Sequence, residues 1–513
     1  MITKLYTATT LGLNAQLIEV EVDLSPALPT IIVVGLPDKA VQESKERVRS
    51  SIKQGGFEFP LGKITINLAP ANITKSGSGF DLPMALGILH VSGFLEKQLP
   101  QKALFIGELS LDGGLRPVNG ILSICLWAKK NGFTDIFIPY DNANEASLVS
   151  GINIYGAKNI LEIINHLKNI KLIEQAKPFD YQGKIDESEV LQDGLYLNDM
   201  AYVRGQGVAK RALEVAASGG HNVLFIGTPG SGKTLLARSY PTIMPKMTEK
   251  EILETTQIYS VAGMLRDGEI ITKRPFRAPH HTSSHISLVG GGSKIRPGEI
   301  SLAHRGVLFL DEFPEFSRET IEVLRQPLED GFVTISRASG TLTYPSKFSL
   351  LAAANPTPSG FEANDIQNIN KPQNKSANSR YQAKFSGPIL DRIDIQVEVN
   401  QPKKEEIQSN ILSEKSIDIA KRVQKARDIQ TKRFEKEAIS TNSEMRLTMI
   451  QVYCQLDQDT KKLIDTAMDK YSLSARSYMR ILKLSRTIAD LEGTANIQTT
   501  HLAEALQYRG KWG

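Results

Sequence analysis

The sequence predicts an α/β protein of several domains, and three observations carry that expectation. Gly227-Thr228-Pro229-Gly230-Ser231-Gly232-Lys233-Thr234 matches the pattern G-x-x-x-x-G-K-[ST] in full; the apolar run Asn222-Val-Leu-Phe-Ile leads in as a buried strand, and Thr234-Leu-Leu-Ala-Arg-Ser leads out as a helix. A second apolar run, Val307-Leu-Phe-Leu, reads as another buried strand and ends in two acids, Asp311 and Glu312. Strand-like and helical stretches alternate through the first third of the chain, and from Pro402 onward the spacing is almost wholly helical.

In chain order, Ile31-Ile-Val-Val, Lys63-Ile-Thr-Ile-Asn-Leu, Ala103-Leu-Phe-Ile and Asp135-Ile-Phe-Ile-Pro read as strands. Lys39–Gln54, Leu82–Gly93 and Gly120–Asn131 carry helical periodicity between them. This places a first domain at 1–175. A polar stretch rich in Asp, Glu, Lys and Gln makes 176–198 a linker. The nucleotide motifs fall in a second domain, 199–400, in which Ser359–Arg380 is so thick with Asn, Gln, Ser and Lys that it reads as a mobile loop. A charged helix over Ile417–Glu437 and three more helices to Leu506 make 401–513 an α-helical domain.

With 513 residues, 41% hydrophobic and 23% charged, the composition is that of an ordinary globular protein. No run approaches the roughly 20 apolar residues of a membrane span. Glu19, Glu21 and Asp23 interrupt the place where a signal peptide needs an apolar core, so a cytoplasmic protein with no membrane partner is expected. The two cysteines, Cys125 and Cys454, lie far apart in apolar contexts and fit a reducing compartment. A formal charge of +5 permits nucleic-acid binding without requiring it.

Phosphoryl transfer to water needs held phosphates, a held magnesium ion, an oriented water and neutralised transition-state charge. Lys233 is expected to reach the β- and γ-phosphates of ATP, and Thr234 with Asp311 to hold Mg²⁺. Glu312 would polarise the attacking water. Phe348-Ser-Leu-Leu-Ala-Ala-Ala reads as a third buried strand, which would set Asn355 beside the γ-phosphate. ATP binding and hydrolysis are the expectation.

These features resemble the AAA+ ATPases. Gly387-Pro-Ile-Leu-Asp-Arg392-Ile-Asp is similar to the arginine-finger segment in the branch that holds magnesium-chelatase motors and MCM helicases. Ser474-Ala-Arg476-Ser-Tyr-Met-Arg480 resembles that branch's sensor-2 helix, and Gly205-Gln206 before the helix Ala209–Ala217 resembles the stretch flanking the adenine. The order of all these motifs resembles the ComM/YifB-type magnesium-chelatase-like ATPases over essentially the whole chain. That resemblance implies catalytic roles for Arg392 and Arg476. A finger that reaches a neighbour's nucleotide implies a ring, a homo-hexamer.

Val333/Ile335 and Leu342/Tyr344 alternate on either side of Ala-Ser-Gly, which predicts a β-hairpin with Arg337 near its tip. In MCM-like rings the corresponding hairpin contacts DNA phosphates in the pore. A second basic insertion spans Val261–Ile300 with Arg266, Lys273, Arg274, Arg277, Lys294 and Arg296. Of these, Lys273, Arg274, Lys294 and Arg296 join Arg337 as candidate contacts to single-stranded or branched DNA, because phosphate binding asks for cations on projecting elements. His280, His281, His285 and His304 cluster here, yet no nearby cysteine or acid completes a ligand spacing, so zinc is not expected.

The first domain resembles the Lon protease domain through Phe105-Ile-Gly107-Glu108-Leu-Ser-Leu-Asp-Gly-Gly114 and Pro117-Val-Asn-Gly120. Against that pattern Gly79 stands at the serine and Leu122 at the activating lysine, with Ser78 one residue out of step. Leucine cannot be a base, so a catalytically dead domain is expected. The resemblance as a whole implies an ATP-dependent helicase or branch-migration motor in natural transformation, working beside recombination proteins. The alternative is a magnesium-chelatase-like ATPase that remodels a protein partner.

Overall fold

The computed structural model describes residues 2–75, 77–95, 99–181, 198–266, 268–292, 295–337, 340–356, 389–408, 412–437, 439–471 and 473–509. The expected loop at 359–380, most of the expected linker, and Lys294 lie outside them. The chain divides into two compact units, 1–184 with 249–271 and 185–248 with 272–513.

The first unit is built on β1 (Ile2–Leu11), β2 (Asn14–Ser25), β3 (Thr30–Val34), β4 (Lys63–Ala69), β5 (Ala103–Phe105), the small hairpin β6 (Glu108–Leu109) and β7 (Leu115–Arg116), β8 (Asp135–Pro139) and β9 (Asn153–Ala157). All but that hairpin form one mixed sheet in the order β3-β4-β2-β1-β5-β8-β9. In β2, Ile18, Val20 and Val22 are fully buried and alternate with Glu19, Glu21 and Asp23, the period of two that a half-buried strand requires. The helix Lys39–Gln54 starts where Asp38 accepts from the Val41 N–H at 2.9 Å, and it buries Val41, Val48 and Ile52 against the sheet. Each such side chain contributes about 1.5–3 kcal/mol on leaving water.

The helix Glu249–Ala262 also belongs to this unit, although its sequence neighbours carry the nucleotide motifs. Gln257 Nε2 donates to the Leu13 carbonyl at 2.9 Å and to Ser123 Oγ at 3.0 Å, and the Gly120 N–H donates to the Ser260 carbonyl at 3.1 Å. Residues 249–271, placed by sequence order inside 199–400, therefore fold with the N-terminal third. Sequence reading shows no sign of it because the partners are over a hundred positions away.

In the second unit, β10 (Val223–Ile226), β11 (Phe276–Arg277), β14 (Val307–Leu310), β17 (Ser349–Ala354) and β18 (Ile395–Glu398) form an all-parallel sheet in the order β11-β14-β17-β10-β18. Every residue of β10, β14 and β17 is buried, as a parallel sheet covered on both faces demands. Two hairpins accompany it, β12 (Gly290–Gly291) with β13 (Arg296–Pro297) and β15 (Phe332–Arg337) with β16 (Gly340–Pro345). The expected hairpin forms with Val333 opposite Tyr344 and Ile335 opposite Leu342.

Helices Ser416–Arg433, Leu447–Tyr453, Gln458–Tyr471, Ala475–Glu492 and Thr499–Gln507 follow. Their Val423, Ile481, Ile488 and Leu502 share one core with Val223, Phe225, Leu351 and Ile395 of the sheet. The border expected at 400/401 is thus crossed by a continuous core. Among the described residues no helix is long and apolar enough to cross a membrane.

Candidate active site

Three strand ends converge because β17 lies between β10 and β14. β10 runs into Gly227, β17 into Asn355, and β14 into Asp311 and Glu312. A Cβ at Gly227 would come within 2.2 Å of the Val399 carbonyl oxygen, so this first loop position admits only glycine. Gly232 has φ +95, a left-handed conformation that lets the loop turn into the helix Lys233–Ser239.

Lys233 is buried, and its ammonium donates to the Gly227 carbonyl at 2.6 Å, the Thr228 carbonyl at 2.9 Å and Asn355 Oδ1 at 3.2 Å. Burial pushes it below the usual lysine range, while Asp311 and Glu312 pull the other way. The Thr234 hydroxyl donates to Asp311 Oδ2 at 2.8 Å. A hydroxyl and a carboxylate side by side are hard oxygen donors of the kind Mg²⁺ takes. A cation inside a glycine loop beside them suits a phosphate anion. The residues present therefore fit a nucleotide with its magnesium ion. Gln206 joins the same loop, donating from Nε2 to the Ser231 carbonyl at 3.1 Å.

Glu312 follows in a left-handed backbone, φ +50, which for a residue other than glycine costs on the order of 1–3 kcal/mol and concentrates at functional sites. Its own N–H donates to Asp311 Oδ1 at 3.0 Å, and its Oε2 lies 3.2 Å from His281 Nδ1. Arg392, at the end of the 3-10 turn Leu390–Arg392, is buried and ion-paired with Glu329. Arg476, at the start of the helix Ala475–Glu492, reaches the same Glu329 at 3.2 Å and lies 3.8 Å from Asp391. The structure thus pairs Lys233 with Asn355 and Thr234 with Asp311, and gathers Arg392 and Arg476 around Glu329. Sequence reading missed both His281 as a neighbour of Glu312 and Glu329 as the partner of the arginines.

The expected DNA contacts divide. Arg337 closes β15 and pairs with Gly340 in register, and Lys273 and Arg296 are exposed. Arg274 is braced, its guanidinium donating to the carbonyls of Pro245 at 2.6 Å, Arg305 at 2.7 Å and Lys246 at 3.1 Å. Arg277 is bidentate on Glu299 at 2.6 and 2.7 Å.

The histidine cluster separates too. His304 is buried and accepts the Lys347 N–H at 3.0 Å, His285 opens the short helix His285–Val289, and the His280 ring lies tilted against that of His281. Among the described residues no group of three His, Cys, Asp or Glu side chains is arranged to hold a metal ion. In the first unit the Ser78 hydroxyl donates to Glu108, and Leu122 is fully buried.

Three family models match the chain: "Magnesium chelatase, subunit ChlI" over 199–407, "Subunit ChlI of Mg-chelatase" over 20–142 and "Magnesium chelatase, subunit ChlI C-terminal" over 413–509. The chain is 42% identical to Competence protein ComM of Haemophilus influenzae, over 98% of this chain and 96% of that one. It is 39% identical to the uncharacterized protein YifB of Escherichia coli over the same shares. To the chloroplastic magnesium-chelatase subunit ChlI-2 of Arabidopsis thaliana it is 22% identical, over 65% of this chain and 77% of that one.

Proposed function

The chain belongs to the ComM/YifB-type magnesium-chelatase-like family, and from that membership we propose that it is an ATP-hydrolysing ring motor acting on DNA. The observation that carries the hydrolytic part is that two hydrogen-bonded pairs, Lys233 with Asn355 and Thr234 with Asp311, meet at the start of one helix. Bound ATP and Mg²⁺ supply the phosphoanhydride and the charge that offsets its anions. Lys233 would turn from the carbonyls of Gly227 and Thr228 to the phosphates, and Thr234 with Asp311 would hold the magnesium. Glu312 orients the attacking water with help from Asn355. Arg392 neutralises charge at a neighbour's nucleotide in a homo-hexamer, and Arg476 takes the sensor-2 role.

Support for DNA comes from the family resemblance and from the hairpin β15/β16, whose strand ends at Arg337. We read the first unit as a Lon-like scaffold without peptidase activity, since Ser78 faces a carboxylate and Leu122 stands where a lysine is needed. On this reading the protein works in the cytoplasm on single-stranded or branched DNA, with recombination proteins, during integration of incoming DNA.

The deciding experiment is ATP hydrolysis with and without single-stranded and branched DNA, at stated salt. Several-fold stimulation by DNA supports the reading. Robust hydrolysis indifferent to DNA would instead favour a motor that remodels a protein partner.

A further inference from the structure

Glu312 is held by a histidine that no phosphate-loop motif contains. His281 Nδ1 lies 3.2 Å from Glu312 Oε2. The histidine sits four residues beyond β11, and β11 pairs in parallel with β14, the strand that delivers Asp311 and Glu312. One end of this short segment is tied to a neighbouring helix and the other is braced locally. Arg277 at the end of β11 is bidentate on Glu299. The ring of His280 lies against that of His281, tilted by 33° with centroids 4.1 Å apart, while His280 Nδ1 accepts the Thr282 N–H at 3.3 Å and lies 2.8 Å from its hydroxyl. His281 is therefore placed beside Glu312 by a braced segment.

Glu312 needs such a partner. More than half of its side chain is exposed, and in water it would sample many rotamers. A base that acts on one water molecule must present one oxygen in one place, because misplacement by about 1 Å costs on the order of a hundredfold in rate. A carboxylate has two oxygens and about four lone-pair sites. One bond from His281 to Oε2 fixes the plane of the group and leaves Oε1 able to accept from water.

We propose that His281 is a positioning residue that orients the Glu312 carboxylate for hydrolysis by donating from Nδ1 to Oε2. This rests on the reading of Glu312 as the group that orients the attacking water. His281 touches no reacting atom and acts only through the glutamate.

The test measures kcat and KM for ATP, with Mg²⁺ and the full chain, in the parent, His281→Ala, His281→Asn, Glu312→Gln and the double variant His281→Ala/Glu312→Gln. An asparagine amide N–H reaches the place of Nδ1–H, so His281→Asn should keep kcat within about threefold of the parent. His281→Ala should lose about 10- to 100-fold in kcat with KM within twofold, as expected of a group that misplaces a base. The double variant should be no slower than Glu312→Gln alone.

A parental or raised kcat in His281→Ala overturns the proposal, and so does an equal loss in His281→Asn, which would mark a merely structural role. A loss carried by KM, or full additivity in the double variant, also overturns it. If Glu312→Gln itself turns over at the parental rate, the role of Glu312 fails and this proposal with it. If Glu312→Gln is inactive and His281→Ala is parental, only His281 is removed.

Discussion

Arg392 and Arg476 meet on a single carboxylate oxygen, Glu329 Oε1. They arrive from separate elements, a 3-10 turn next to β18 and the first turn of the helix Ala475–Glu492. Arg392 is 8% exposed, whereas the Arg476 side chain is 53% exposed. The Arg476 contact is thus screened and worth roughly 0–1 kcal/mol. Taking Glu329 from the buried Arg392 would cost more, because one charge would be left without its partner in a drier setting. One anion gathering two guanidinium groups is also the arrangement that a phosphate transition state asks of them.

Arg392→Ala is expected to bind nucleotide and assemble, yet to lose hydrolysis by a factor on the order of 10³. Mixed with Lys233→Ala it should regain part of the activity, because complete sites form between unlike subunits. Turnover of the mixture is the measurement, with mixed assembly shown separately. Mixed assemblies that stay inactive would end the shared-site reading.

Glu312→Gln should bind ATP and hydrolyse it at least about 10²-fold more slowly, since the amide cannot accept a proton from water. Single-turnover hydrolysis alongside nucleotide affinity checks this. Parental affinity with turnover within threefold of the parent would strip Glu312 of its role.

How far the site was legible depends on whether each partner is local. The loop Gly227–Thr234 and the acids at 311 and 312 are readable because a phosphate site is built from backbone next to a strand end, so spacing and hydrophobic context both record it. The helix Lys39–Gln54 was readable to the residue, since Asp38 caps it and Val41, Val48 and Ile52 keep the helical period. β1 and β2 lie outside the strands expected from the sequence, although Glu19-Val-Glu-Val-Asp alternates with the period of a half-buried strand. His281 on Glu312 and Glu329 on Arg392 were out of reach for a different reason. Each depends on which strands and turns become neighbours, as β11 does with β14, and a single sequence carries no record of that adjacency.

Neither cysteine should react in the native protein. Both are buried, and burial pushes the Cys454 thiol up to about 12 and Cys125 well above the ordinary range. A raised pKa means less thiolate, which is the reactive form, so at pH 8 only about one Cys454 in 10⁴ would be ionised. Titration with an aromatic disulfide reagent should give no rapid thiol at pH 8 and two in guanidinium chloride. Even one fast native thiol would show that the segment around it opens readily.

The hairpin is expected to link hydrolysis to DNA. Val333 and Ile335 are buried and fix β15, so the strand end at Arg337 has a defined place on the second unit. In a homo-hexamer the same arginine recurs in every subunit, which presents a set of cations to a phosphate backbone without any sequence preference. Removing one phosphate contact lowers the slope of log affinity against log salt by about one. Arg337→Ala should therefore flatten the salt dependence of DNA binding and abolish both DNA-stimulated hydrolysis and branch migration. Lys273→Ala and Arg296→Ala, on the other basic segment, serve as comparison. Arg274→Ala should behave differently from all three, since it removes a brace on the carbonyls of Pro245, Arg305 and Lys246 and so lowers thermal stability first. Affinity measured at several salt concentrations, with melting temperature from the same preparations, separates the two classes. If Arg337→Ala leaves the salt slope and branch migration at parental values while Lys273→Ala and Arg296→Ala reduce them, the DNA path runs over the 272–300 segment and the hairpin serves the fold alone.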